Sequence, residues 1–205
     1  MLILSIDTSM PLFSVALVRG ETLVASFAAE GKSSRNEKLL PAIDWILSEA
    51  GIPRGEVDLL AVTRGPGSFT GVRIGLATAQ GLAFALQCPI AALSTHEAAL
   101  GDAPPSEVLV FSDAGRAEYY ASGFRDGICE LEPALVTAAQ LGVLRGEYDA
   151  SIDVDLLIRR ENLALLGARR AQALARGAAP LPREATPIYV RLAEAEVRRI
   201  RDGQA

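Results

Sequence analysis

Val57-Asp58-Leu59-Leu60-Ala61-Val62-Thr63-Arg64-Gly65-Pro66-Gly67-Ser68 is the stretch that decides the fold. Val57–Thr63 is rich in apolar residues on both faces, as a strand buried in a parallel sheet must be. The glycine-rich turn Arg64–Ser68 delivers the chain into a helix of about 17 residues that ends near Gln87. Pro89–Leu93 follows as a short strand. Parallel strands joined by a helical crossover are the signature of a mixed α/β sheet.

Before this stretch, Leu2–Ile6 is an apolar run suited to a central strand. The polar turn Asp7-Thr8-Ser9-Met10-Pro11 leads to Phe13–Val18, and the Arg19-Gly20-Glu21 turn to Thr22–Ala28. Three strands thus arrive with hairpin-length connections. Ser34-Arg35-Asn36-Glu37 fits a capping box, and the helix Ser34–Ala50 carries Leu39, Leu40, Ile43, Ile46, Leu47 and Ala50 at helical spacing before Gly51 stops it. The order is βββαβα.

After it, Gly101-Asp102-Ala103-Pro104-Pro105-Ser106 is the best linker, dividing the chain into residues 1–101 and 106–205. Val108–Ser112, Glu118–Phe124 and Cys129–Val136 then repeat the three-strand opening. Past Thr137–Leu144 the repeat is expected to degrade. Gly146–Asp155 reads as polar and irregular, Asn162–Arg176 as an Ala/Leu/Arg helix, and Ala178–Pro187, with three prolines, as extended loop. Arg191–Arg201 reads as a frayed surface helix. The expectation is two α/β lobes related by duplication, the second reduced.

Half of the 205 residues are hydrophobic and the mean hydropathy is +0.25, ample for a core. The net charge of −5 and pI near 5.0 argue against a freestanding nucleic-acid binder, which needs a basic face. RNA contact within a complex stays open. The N-terminus has no basic segment before its apolar run and reads as a strand rather than a signal peptide. No stretch approaches the roughly 18 uncharged apolar residues of a membrane span. Cys88 and Cys129 sit in no CxxC pattern and read as buried thiols, so the cytoplasm is the default address.

Few residues offer chemistry. Asp7-Thr8-Ser9 can hold a nucleotide's phosphate and its magnesium, or simply form an Asx-type turn. With it go Gly65, Gly67 and Ser68, whose uncovered amides and following helix N-terminus suit an anion. The turn is neither a P-loop nor a dinucleotide fingerprint. Gly71, Gly75, Ala79 and Ala83 recur every fourth residue, a strip of small residues that lets another helix approach closely. That helix is either Ser34–Ala50 of the same chain or one from a partner. His96 is the only histidine, so a His-rich metal site and a triad are not expected, and a lone His is usually a cap or a surface residue. Asp113-Ala114-Gly115-Arg116-Ala117-Glu118-Tyr119-Tyr120 repeats the place of Asp7; two acids flanking an Arg can be catalytic, but a strand-turn salt bridge is the commoner outcome. Pro187-Ile188-Tyr189-Val190-Arg191 predicts no role from its chemistry alone.

Together, Ile6-Asp7-Thr8-Ser9, Lys38-Leu39-Leu40-Pro41, Arg64–Gly75, Asp113-Ala114 with Glu118-Tyr119, and Pro187–Arg191 resemble the TsaB (YeaZ) family over nearly the whole chain. The resemblance implies an actin-like fold of the sugar kinase/Hsp70 superfamily with two RNase H-like lobes. It implies a non-catalytic subunit that pairs with TsaD, which holds the catalytic site, and acts with the ATPase TsaE. Together they place threonylcarbamoyl on the tRNA adenosine beside the anticodon. It implies a heterodimer, or a homodimer in isolation, through helices Ser34–Ala50 and Thr70–Leu86. The interface expected here is Leu39, Leu40, Ile43, Gly71, Arg73, Ile74, Gly75, Thr78, Ala79 and Leu82. ATP or ADP with magnesium is expected, if anywhere, at the boundary of the complex. TsaD holds its metal with a histidine pair on the first helix, whereas this chain has Arg35-Asn36-Glu37-Lys38, so no metal or catalytic site is expected. A small ATP-dependent phosphotransferase of the same fold is the alternative, and a peptidase using a Ser, Cys88 or Cys129 with His96 is a third.

Overall fold

The computed structural model describes residues 1–30, 35–177 and 185–191. Strands β1 (Leu2–Asp7), β2 (Leu12–Arg19) and β3 (Thr22–Glu30) open the chain, and helix α1 (Arg35–Glu49) crosses to β4 (Leu59–Thr63). Helix α2 (Phe69–Leu86) crosses to β5 (Ile90–Leu93), followed by the short α3 (Thr95–Ala99). The sheet runs β3-β2-β1-β4-β5, with β1 antiparallel to β2 and parallel to β4, and β4 parallel to β5. This is the expected βββαβα order. The capping box read at Ser34 lies outside the described residues.

Both faces of this sheet are buried, and side-chain alternation sorts the residues between them. Leu2, Leu4, Ile6, Phe13, Val15, Leu17, Leu60 and Val62 face α1 and α2, joining Leu39, Ile43, Ile46, Val72 and Leu76. Ile3, Ala16, Val18, Leu59 and Ala61 face the other way, into a core that holds residues from both halves of the chain.

The second half comprises β6 (Glu107–Gly115), β7 (Glu118–Arg125), β8 (Ile128–Thr137), α4 (Ala138–Arg145), β9 (Ala150–Asp153), α5 (Val154–Leu157) and α6 (Leu163–Arg176). Its sheet runs β8-β7-β6-β9. Here the sequence reading is corrected. The stretch Gly146–Asp155 is not irregular, because β9 pairs parallel with β6 from Val108↔Ala150 to Phe111↔Asp153. The repeat therefore runs to its fourth strand, in the order of the first sheet. Among the described residues the second sheet lacks only a counterpart of β5. That is a second, reduced α/β lobe on the plan of the first.

Helix α6 does not stay with its own sheet. It packs on β1, β2 and β4 and against α3. Asn162 caps it, accepting from Leu165 N at 3.0 Å and donating from Nδ2 to Phe27 O at 3.3 Å. Ala164, Gly167, Ala168 and Ala171 make its buried side small. A Cβ on Gly167 would lie 3.3 Å from Ser5 Oγ. The linker at residues 101–106 separates the two sheets, while the core beneath α6 joins them. Of the predicted loop at 178–187 and helix at 191–201, only Ala185–Pro187 and Arg191 fall within the described residues.

One helix departs from the membrane reading: α2 is long and apolar enough, by length and composition alone, to cross a bilayer. A third of it is buried against its own sheet and α1.

Candidate functional site

The Asp7 turn and the glycine turn are locked together. Asp7, at the end of β1, is fully buried, and its Oδ1 accepts from Thr63 Oγ1 at 2.6 Å, Ser9 Oγ at 2.6 Å and Ser9 N at 3.1 Å. Thr8, also fully buried, donates from Oγ1 to Gly71 O at 2.7 Å. Ser68 N donates to Ser9 O at 2.7 Å, and the Ser68 hydroxyl caps α2 by accepting from Gly71 N. A Cβ on Gly67 would stand 2.4 Å from Ser9 O, so the glycine is required by this close approach. Of the five residues considered for a nucleotide, Asp7, Thr8, Gly65, Gly67 and Ser68 do come together. However, the space a phosphate would take at Gly67 is filled by Ser9 backbone, and the carboxylate and the Thr8 hydroxyl are sealed from solvent. These residues do not fit ATP, ADP or magnesium.

Helix α2 has two distinct strips of small residues. Gly71, Gly75 and Ala79 are buried inside the chain, and a Cβ on Gly75 would lie 2.3 Å from Thr8 Oγ1. The close approach read from their spacing is therefore met by β1 and its turn, not by a partner. Leu39 and Ile43 of α1 are likewise core. The outward face carries Thr70, Arg73, Ala77, Gln80, Gly81, Phe84 and Ala85, with Ile74, Thr78 and Leu82 half-buried beside it. Ala77, Gly81 and Ala85 make a second every-fourth-residue strip, and a Cβ on Gly81 would meet nothing within 4 Å. Phe84 is 80% exposed, and Leu40 and Trp45 of α1 are about half exposed. Sequence reasoning missed this strip although a signal existed. Val72 and Leu76 mark the core side of the helix, and Arg73 and Gln80 mark the other.

His96 is neither cap nor surface. It is fully buried, with Nδ1 2.7 Å from Ser122 Oγ and Nε2 3.1 Å from Ser112 Oγ, bolting α3 to β6 and β7. Burial pushes its pKa down to about 3, making it a weak base. Nearby, Glu97 lies 3.6 Å from Arg170 Nη2, and its carboxyl is raised chiefly by burial. Cys88 and Cys129 are half-buried, and burial raises both thiols, Cys129 to about 11. The histidine and thiols a peptidase would use are thus held in poorly reactive forms. The expected salt bridge at the second-lobe turn takes an unforeseen partner. Glu118 pairs with Arg191, while Asp113 Oδ1 accepts from Gly115 N at 2.8 Å. Among the described residues no group of three His, Cys, Asp or Glu side chains is placed to hold a metal ion.

The model of the family described as TsaD, tRNA N6-adenosine threonylcarbamoyltransferase, matches residues 30–140, more than half of the chain. The chain belongs to this family. Within it, the similarity is to TsaB, also called YeaZ. A tRNA threonylcarbamoyladenosine biosynthesis protein TsaB of Bacillus subtilis (strain 168) is 32% identical over 134 residues, 63% of this chain and 58% of that protein. TsaB of Haemophilus influenzae is 40% identical over 125 residues, 58% of this chain and 52% of that protein. The matched region thus spans little more than half the length of these relatives. The solved structure of YeaZ from Pseudomonas aeruginosa superimposes with a TM-score of 0.66 at 28% identity, covering 92% of this chain and 99% of that one. The TsaB/YeaZ resemblance read from Arg64–Gly75 together with the Asp7, Lys38, Asp113 and Pro187 segments is borne out.

Proposed function

We propose that this chain is a non-catalytic subunit of the bacterial machinery that makes threonylcarbamoyladenosine in tRNA. In this reading it docks a TsaD partner through the outer faces of α1 and α2, acts with TsaE, and works in the cytoplasm. The observation that carries the reading is the outer face of α2. Eighteen residues contain a single charge, Arg73, and the exposed side presents Ala77, Gly81, Phe84 and Ala85 to solvent. An apolar, small-residue ridge beside the half-exposed Leu40 and Trp45 is a surface suited to a close helix–helix contact. Of the interface residues expected from sequence, Leu40, Arg73, Ile74, Thr78 and Leu82 keep exposed surface to offer. The acidic balance of the chain leaves tRNA binding to the assembled complex. A second copy of this chain would use the same ridge when no partner is present.

Reconstitution tests the role. TsaD, TsaE, tRNA and threonylcarbamoyl-adenylate are combined with and without this chain, and modified adenosine is counted by mass spectrometry. The proposal requires modification to collapse when the chain is left out. Full-rate modification in its absence contradicts the role.

A further inference from the structure

The last described segment returns to the first half and lies along α2. Gln80 Nε2 donates to Ala185 O at 3.2 Å, Ile188 N donates to Arg64 O at 2.7 Å, and Arg73 Nε donates to the Tyr189 hydroxyl at 2.8 Å. The segment therefore runs against the helix direction, from Gln80 back to Phe69. The Tyr189 ring lies 4.9 Å from that of Phe69, and the Arg73 guanidinium stands 3.9 Å over the Phe69 ring. Two residues later the chain grips the other half. Arg191 Nη1 donates to Ala114 O at 2.9 Å, and Nη2 pairs with Glu118.

Both of those acceptors flank the β6–β7 turn, where Gly115, Arg116 and Ala117 all have positive φ (74°, 61° and 60°). Positive φ at both Arg116 and Ala117 is the type I′ geometry that the β6–β7 hairpin favours, at a steric cost for residues with a Cβ. Arg191 holds the chain on both sides of that turn, at Ala114 and at Glu118. Pro187 fixes its own φ, and a single residue, Val190, separates the Tyr189 anchor on α2 from the Arg191 anchor on the turn.

We infer that Pro187–Arg191 is a strap that mechanically couples the outer face of α2 to the β6–β7 turn. A protein partner pressing on Arg73 and Tyr189 shifts the strap and, through Arg191, resets the turn in the second half. The docking proposal supplies the identity of that partner, while the coupling itself is a property of the isolated chain.

Hydrogen exchange on the full chain without any partner tests it. Arg191→Ala is expected to raise exchange several-fold at residues 113–119. The decisive variants are Tyr189→Phe and Arg73→Ala, which act at the contact between the strap and α2, leave Arg191 in place and are checked for intact folding by circular dichroism. Each is expected to raise exchange at 113–119 as well. Unchanged exchange there in both, with exchange altered only around residues 69–73 and 187–189, overturns the strap. Because no partner is present, that failure leaves the docking proposal standing, and a failure of docking leaves this result standing.

Discussion

His96 shows how much a single residue contributes at the junction of the two halves. Its ordinary pKa is 6.5, and burial holds it near 3 between Ser112 and Ser122. Between these values the unfolded chain binds one more proton than the folded one. Stability from this group is therefore full above about pH 6.5 and falls by up to ~1.4 kcal/mol per pH unit as the pH drops toward 3. Glu97 acts in the opposite sense, since its raised pKa lets the folded state gain as the pH falls toward 4.5. His96→Gln keeps hydrogen-bonding capacity and removes the imidazole titration. Urea unfolding at about pH 7 and about pH 5 is predicted to show wild type losing more stability than the variant. Equal losses would mean that the imidazole is not held neutral. None of this was legible locally, because both hydroxyl partners belong to the other sheet. Gly67 is the contrary case. Its Gly-Pro-Gly setting announced a tight turn, and only the identity of the backbone packed on it, Ser9, needed the fold.

At the scale of elements, α2 carries the argument, and its two faces respond oppositely to the same change. Gly75→Ala drives a methyl into Thr8 Oγ1 and disrupts the Thr8–Gly71 bond, at a predicted cost of about 1–3 kcal/mol. Gly81→Ala meets open space and removes a helix-interior glycine, for a predicted gain of up to about 1 kcal/mol. Thermal melts of the two variants against wild type check both signs, and a destabilised Gly81→Ala would place that face against something in the chain. The periodicity that marked a strip was readable from sequence. Its side of the helix required weighing Val72 and Leu76 against Arg73 and Gln80. Strand β9 was missed because Ala150–Asp153 offers four residues with one large apolar side chain, Ile152. Its place is fixed by the β6 ladder, not by its own pattern. The Pro187–Arg191 strap was silent for a similar reason: Arg73, Arg64 and Glu118 lie far from it in sequence.

For the whole molecule, duplication was legible from two triplets of closely spaced strands. What it did not reveal is that α6 leaves its own half and completes the core under the first sheet. Only the small residues Ala164, Gly167, Ala168 and Ala171 hinted that this helix sits where space is short. Among the described residues the first sheet is covered on one side by α6 and on the other by α1 and α2. The Ala185–Tyr189 segment touches the outer ridge of α2 at Gln80, Arg73 and Phe69, while Ala77, Gly81, Phe84 and Ala85 stay exposed. Docking of TsaD on that ridge is the central claim, and Gly81→Arg tests it most directly. Arginine is a good helix former and meets no neighbour at this position, yet it fills the close-approach strip with a bulky charge. Sedimentation velocity of TsaD mixed with wild type or with Gly81→Arg reads the outcome. A heterodimer with wild type and separate species with a folded variant is the predicted result, and wild-type assembly by the variant would contradict it.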